Sequence, residues 1–251
     1  MGRNVLVTGS SRGIGKVVAQ QFAVLGDNVV VHYSTSEQQA QETLASLAKG
    51  EGAKHVCLQA DLSVEGAPAK LISEAVAALG SLDVVVCNHG VYEETPFEET
   101  TVEAVMASFK KVMQVNLMGP AELAWAAGKA MQATGGAIVF VSSRGAYRGE
   151  PDAPAYGASK GALNSLTGSL AQALGRFKIR VAGVAPGFVR TEMAAKALEG
   201  PRGDGIRGQS TWDRVAEPEE VAAAVVFLAG DQAAWCTGTV IDCNGASHLR
   251  C

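Results

Sequence analysis

An α/β fold on a parallel sheet is what this sequence predicts, and three observations carry the expectation. Short apolar runs alternate along the chain with longer stretches of helical periodicity. The runs are apolar throughout, as strands covered on both faces are. No linker-like composition divides the chain, so residues 1–251 read as one domain.

The first strand, Asn4–Thr8, runs into GSSRGIG and then a helix carrying Val17, Val18, Phe22 and Leu25. Gly9 permits a tight turn, and Gly13 and Gly15 permit close approach of backbone to ligand. The helix start then offers amides and a favourable dipole to a pyrophosphate. A glycine cluster alone makes a turn just as well. The strand-turn-helix context favours a dinucleotide site over Gly9, Ser11, Arg12, Gly13, Ile14 and Gly15.

The second strand, Asn28–His32, ends in Tyr33, Ser34 and Thr35 without a carboxylate. An acidic side chain there would hold the ribose hydroxyls of NAD and repel a 2′-phosphate. Its absence, with Arg12 able to pair with that phosphate, favours NADP, bordered by Tyr33 and Ser34. Arg12 as a solvent-facing turn residue is the plainer reading. Ser36 with Gln39 has the form of a capping box, opening a helix to about Lys49. Lys54–Gln59 is the third strand, and Asp61 beyond it either accepts from an adenine amino group or caps the next turn.

A helix over Pro68–Leu79 precedes the fourth strand, Leu82–Cys87, which ends in Asn88-His89-Gly90. Thr100 and Glu103 give a second capping-box pattern. The following helix carries Asn116 among Val112, Val115 and Leu117. An amide in such company is costly unless its hydrogen bonds are met. It either binds backbone or water structurally or positions a catalytic water. A helix over Ala121–Met131 leads to the fifth strand, Gly136–Val141, and directly into Ser142-Ser143. Ligands lie beyond the carboxyl ends of such strands, where Ser143 can donate to a substrate oxygen.

Tyr156 and Lys160 stand four apart on a helix continuing to about Leu174, so their Cβ atoms are about 5–6 Å apart on one face. A phenol with a pKa of about 10 is a poor base near neutrality. An ammonium beside it, or a cofactor cation, favours the phenolate. Ordinary surface helices show the same spacing. Ile179–Val184 is the sixth strand, interrupted at Pro186-Gly187. The glycine-rich charged stretch 192–214 reads as a mobile substrate lid or an irregular surface loop. Pro218 fits the first turn of a helix ending near Gly230, and Val240–Cys243 is the last strand.

With 21 basic against 25 acidic residues, net charge −4, the chain has no bulk attraction for nucleic acid or anionic membrane. No run approaches the roughly 20 apolar residues that span a bilayer. The five cysteines include no CxxC pair, and with the scattered histidines they offer no metal framework. An odd count without a secretory segment suits a reducing, cytoplasmic compartment.

Taken in order, Gly9-Ser10-Ser11-Arg12-Gly13-Ile14-Gly15, Asn88-His89-Gly90, Asn116, Ser143, Tyr156, Lys160 and Pro186-Gly187, with thirteen residues from Ser143 to Tyr156, form one set. This set resembles the short-chain dehydrogenase/reductase family over nearly the whole chain. Its general layout is similar to 3-oxoacyl-[acyl-carrier-protein] reductases. The resemblance implies a Rossmann-type three-layer sandwich with a seven-stranded parallel sheet, an NADP(H) cofactor and a homotetramer. It implies that Thr8 supports the turn, that Asp61 and Leu62 contact adenine, and that Asn88 and Gly90 lie near the adenosine ribose. Tyr156 and Lys160 would hold the nicotinamide ribose, with Pro186, Gly187, Val189 and Thr191 bordering the nicotinamide. The pattern departs at His89, where alanine is common, at Ala182 for the usual Asn, and at Asn244 and Ala246 after the last strand.

The implied catalytic set is Asn116, Ser143, Tyr156 and Lys160. In reduction, Tyr156 would donate the proton and Ser143 would stabilise the developing oxyanion. Lys160 would lower the Tyr156 pKa and, through Asn116 and water, join a proton relay. An acyl carrier protein is acidic and would need a basic docking patch, for which Lys129, Arg176 and Lys178 are candidates. A sugar, polyol or small-carbonyl dehydrogenase/reductase is the enzymatic alternative. A nucleotide sensor or scaffold without turnover is the alternative of another class.

Overall fold

The apolar runs become β1 (Asn4–Val7), β2 (Asn28–Tyr33), β3 (Val56–Gln59), β4 (Val84–Cys87), β5 (Gly136–Val141), β6 (Ile179–Pro186) and β7 (Val240–Cys243). These strands form one parallel sheet in the order β3-β2-β1-β4-β5-β6-β7. The computed structural model describes residues 2–50 and 52–250. Between the strands run α1 (Gly13–Val24), α2 (Glu37–Ser46), α3 (Ala67–Leu79), α4 (Val102–Met113), α5 (Gly119–Ala130), α6 (Gly145–Arg148), α7 (Pro154–Leu174), α8 (Glu192–Glu199), α9 (Gly203–Arg207) and α10 (Pro218–Ala229).

Successive strand side chains point to opposite faces, so each apolar run serves two cores. Val5, Val7, Val29, Val31, Val84 and Val86 face one layer, with Phe22 of α1 and Val221 and Val225 of α10. Leu6, Val30, Val85, Ile138 and Phe140 face the other, with Leu71 of α3, Leu123 of α5 and Leu163 of α7. This two-sided burial explains why the strands carry no polar alternation. The sequence order reverses at β1, which β2 and β4 flank. A sheet of this kind opens a crevice at such a switch point, beyond the strand ends.

Several local expectations shift. The third and fourth strands begin at Val56 and Val84, later than apolar character suggests. Strand limits are set by ladder pairing, and β4 is paired to β1 from Val84 onward. Ser36 makes no side-chain cap, so that capping box does not form. At α4 the cap is Thr101 rather than Thr100, accepting from the Ala104 amide at 3.2 Å. The stretch 192–214 contains the helices α8 and α9 rather than being irregular throughout. Among the described residues, no helix is long and apolar enough to cross a membrane.

Phe22 is fully buried between α1, the sheet and α10, with the Arg3 guanidinium 5.4 Å from its ring centroid. Phe22→Ala is expected to destabilise the chain by about 3–5 kcal/mol. Urea denaturation would show this as a lower midpoint with an unchanged slope.

Candidate active site

The turn after β1 is built by its hydrogen bonds. Gly9 has φ +61°, a left-handed conformation that a side chain would strain. A β-carbon on Gly15 would lie 2.5 Å from both the Gly9 carbonyl oxygen and the Asn88 Nδ2. That crowding is the reason for a glycine there. Asn88 reaches over from the end of β4, and its Nδ2 donates to the Thr8 and Gly9 carbonyls at 2.9 and 3.1 Å. The Thr8 hydroxyl accepts from the Asn88 amide at 3.0 Å. The glycine turn and the Asn88-His89-Gly90 loop are thus laced together across the switch point.

His32 completes the turn. Its Nδ1 accepts from the Gly9 amide at 3.0 Å, so its proton sits on Nε2, which donates to the Ala60 carbonyl at 3.1 Å. Burial pushes its pKa down to about 4, against the Ala60 carbonyl. His89 Nδ1 lies 2.8 Å from the Thr8 hydroxyl. Its Nε2 is buried without a hydrogen-bond partner, and burial pushes its pKa down to about 3. The histidine at the end of an otherwise aliphatic strand was the available signal for His32.

Arg12 is the residue before α1 and makes no side-chain cap, which leaves the first amides of that helix without one. Its guanidinium meets Glu192 of α8 at 3.1 Å and Gln39 at 3.4 Å. Ser11 accepts through its carbonyl from Thr43 at 3.0 Å, and Ile14 packs on the core of that face. Half-buried Tyr33 and exposed Ser34 end β2. Asp61 caps the next turn, with one oxygen accepting from the Ser63 amide and hydroxyl at 3.0 and 2.7 Å; these bonds hold its carboxyl below the usual range. Its other oxygen takes no part in them. The Leu62 side chain is in the core, and its carbonyl packs against Gly119 of α5. Pro186 accepts from the Arg144 amide, and the Gly187 amide donates to Cys243. Val189 is buried and bridges to Ala216. Thr191 lies against Gly13, its methyl 3.4 Å from where a β-carbon would stand.

The catalytic candidates converge at the carboxyl ends of β4 and β5. Asn116 is fully buried in a π-helical turn, Gln114–Met118, between α4 and α5. Its Oδ1 accepts from the Val91 amide at 2.8 Å, and its Nδ2 donates to the Val91 carbonyl at 2.9 Å and to Ser159 at 3.2 Å. The Ser159 hydroxyl donates in turn to the Tyr156 carbonyl at 2.7 Å. The amide side chain therefore ties the β4 loop to α7. Its hydrogen bonds are spent there, and sequence gave no sign of Ser159.

Lys160 is 3% exposed, and its Nζ donates to the Val141 carbonyl at 2.8 Å. Burial pushes its pKa down to about 8. The ammonium stands over the Tyr156 ring, 5.7 Å from the centroid. Contrary to the expected depression, Tyr156 is pushed above its usual value. Burial is the main cause, the Glu150 charge adds to it, and the Ser143 hydroxyl beside it opposes them. In the chain by itself burial outweighs the Ser143 hydroxyl, so the phenol is held protonated. The Ser143 hydroxyl also accepts from the Gly145 amide at 3.0 Å. Two groups not found by sequence border Tyr156. Tyr92 packs edge-on at 5.1 Å between centroids, and Glu150 lies against Gly145 and Gly157.

A family model described as enoyl-(acyl carrier protein) reductase matches residues 9–248. A short-chain dehydrogenase from Burkholderia cenocepacia, solved in complex with NADP, superposes with a TM-score of 0.90 at 29% identity, covering 99% of each chain. This chain belongs to the short-chain dehydrogenase/reductase family. An angucycline C-6 ketoreductase with bound NADP is 34% identical, covers 98% of this chain and 97% of its own, and gives a TM-score of 0.87. A probable tetrahydroxynaphthalene reductase of Zymoseptoria tritici is 34% identical, over 99% of this chain and 95% of its own.

The residues of this family member fit a nicotinamide dinucleotide. The glycine turn, the free amides of α1 and Arg12 suit phosphate groups, and Lys160 stands at the other end of the cleft. A β-carbon on Gly90 would be 3.6 Å from Lys160 Nζ, so glycine keeps the approach to the ammonium open.

Buried His32 and half-buried His89 bind their proton less readily folded than unfolded. Their contribution to stability is complete above about pH 6.5 and is lost as pH falls toward 4 for His32 and 3 for His89. For His32 alone the shift corresponds to about 3 kcal/mol. His32→Asn keeps an acceptor for the Gly9 amide and removes the titration. The fall in Tm between pH 7 and 4.5 is expected to be about half that of the wild type.

Proposed function

We propose that this chain reduces compact polar ketones bearing hydroxyl groups near the carbonyl, using NADPH. Glu150 is the observation that carries the substrate class. It is half-buried beside Tyr156 and Tyr92, and among the described residues its carboxylate has no hydrogen-bond donor. Burial and the nearby Asp152 raise its pKa, with Arg148 and Arg144 opposing. A half-exposed carboxylate in such a place is free to accept from a donor in the cleft. A substrate hydroxyl would satisfy it, whereas an alkyl chain would not. The names of the tetrahydroxynaphthalene reductase and angucycline ketoreductase relatives point the same way.

A carrier-bound acyl chain is less well supported. Lys129, Arg176 and Lys178 are exposed, but they gather at the amino ends of β5 and β6. Tyr156 opens the 21-residue α7 and Arg176 lies just past its end, about 30 Å away within the chain. Exposed Met118 in the π-helical turn and Trp125 on α5, with Phe227 and Trp235 near the edge strand, support homotetramer formation.

The chain is an oxidoreductase of carbonyl and alcohol groups, and its side chains divide the work. The chemistry that NADPH would supply when bound is a hydride for the carbonyl carbon. Tyr156, held protonated by its burial, donates to the carbonyl oxygen. Ser143 stabilises the negative charge developing on that oxygen. Lys160 would hold the nicotinamide ribose of the bound cofactor and would return a proton to Tyr156. Asn116 acts by position, fixing α7 against the β4 loop through Val91 and Ser159.

Two outcomes test this reading. In a panel followed by nicotinamide absorbance, hydroxylated ketones with NADPH are expected to exceed 3-oxoacyl thioesters in kcat/KM by about tenfold or more, a difference of about 1.4 kcal/mol in transition-state binding. Faster turnover of the thioesters would restore the carrier-protein reading, and NADH preference would defeat the cofactor assignment. Tyr156→Phe is expected to lower kcat by about 10²–10⁴ while the Kd for NADPH stays within about threefold. Cofactor binding without turnover in the wild type would favour a sensor.

A further inference from the structure

Arg144 follows Ser143 but turns away from it, and it is 3% exposed. A guanidinium does not shed its proton in a protein, so burying one calls for a matching charge. Among the described residues, no salt bridge reaches Arg144. Its guanidinium carbon sits 5.2 Å from the centroid of the Phe188 ring, and its Nη2 donates to Gln209 Oε1. Arg148 Nη1 donates to that same oxygen at 3.1 Å. Two cations thus converge on one neutral carboxamide oxygen. Burial and then the Arg148 charge push Arg144 down to about 10, and Glu150 only partly opposes them.

Beside this pair, behind α9, lies a cavity of about 250 Å³ whose wall includes Arg144, Gln209, Ser210, Asn244 and Ser247. Its other charged groups are already matched. Arg214 makes a two-pronged contact with Glu220 at 2.6 Å, and Asp242 accepts from Arg250 at 2.7 Å. Neither Ser143, Tyr156 nor Lys160 lines it. The Ser210 and Ser247 hydroxyls donate to the Arg214 and Asn244 carbonyls, so the Arg144 guanidinium is the unmatched donor facing an incoming group. Exposed Arg148 does not line the cavity and is reached only through the Gln209 oxygen that both arginines share.

We infer that this cavity is an oxyanion site, in which a carboxylate or phosphate group pairs with Arg144 in place of the Gln209 carboxamide oxygen, at the one point that Arg148 also reaches. The planar fork of each guanidinium suits two oxygens of such a group, and a charge-assisted bond is roughly twice as strong as one to a neutral amide. The site is separate from the hydride-transfer centre and does not depend on which ketone is reduced.

The test is thermal unfolding with NADP⁺ saturating, so that the cofactor's own phosphate positions are filled. Inorganic phosphate and malonate are added separately, at ionic strength held constant with chloride. A rise in Tm of about 5 °C at saturation is expected from at least one of them. A rise with phosphate alone identifies a phosphoryl ligand; a rise with malonate as well identifies carboxylates too. Gln209→Glu places the missing charge in the chain itself. It is expected to raise the anion-free Tm by about 2–4 °C and to abolish the response to either anion. No response in the wild type, an unchanged response in Gln209→Glu, or a lower anion-free Tm in that variant would each overturn the inference. The readout needs no turnover, so it fails or succeeds independently of the substrate assignment.

Discussion

Two hydrogen bonds from the Asn88 side chain to the carbonyls of Thr8 and Gly9 hold the rest of the cleft in register. Adjacent strand ends in a parallel sheet leave polar backbone groups that no further ladder satisfies. Here a side chain from one strand end satisfies the carbonyls of the other. The close approach this demands explains the missing β-carbon at Gly15. It also fixes where α1 begins, and so where the amides of its first turn are presented. The cofactor cradle is in this sense a product of how β1 and β4 end.

The same economy operates under the catalytic helix. Asn116, Ser159 and the Val91 backbone form a closed set of hydrogen bonds inside an apolar layer. The π-helical turn is what aims Asn116 at Val91, because the extra residue rotates that part of the helix out of ordinary phase. Tyr156 and Lys160 inherit their positions from this clamp. Their burial sets their chemistry, with the lysine more easily deprotonated than usual and the phenol less so. A protonated tyrosine is the form that reduction requires.

Two imidazoles, His32 and His89, stand next to the glycine turn without carrying charge. His32 acts as an acceptor and a donor in fixed directions, a role that a neutral tautomer performs and an imidazolium cannot. These two imidazoles place part of the fold's acid sensitivity where the dinucleotide would lie. On the far side of Ser143, the opposite problem arises, a buried charge held by neutral groups at Arg144. The loop from Ser143 to Glu150 thus borders the reacting centre on one side and, through Arg144, the wall of a second cavity on the other.

Sequence alone determined the strand-helix alternation, the parallel class of sheet, and the candidates Gly9–Gly15, Asn116, Ser143, Tyr156 and Lys160. Apolar periodicity and residue chemistry are local properties, and they survive without any knowledge of packing. It also left no carboxylate at the end of β2, a feature legible because selectivity there depends on one side chain's charge. What only the tertiary structure decided were the distant partnerships. Glu150 facing Tyr92 and Tyr156, Ser159 under Asn116, His32 on Gly9, and Gln209 between two arginines join residues far apart in the chain or set by loop geometry. Even the sense of the Tyr156 shift belonged to that level, because the spacing of a tyrosine and a lysine states their proximity. How deeply both are buried, and which other charges reach them, depends on every element packed around them.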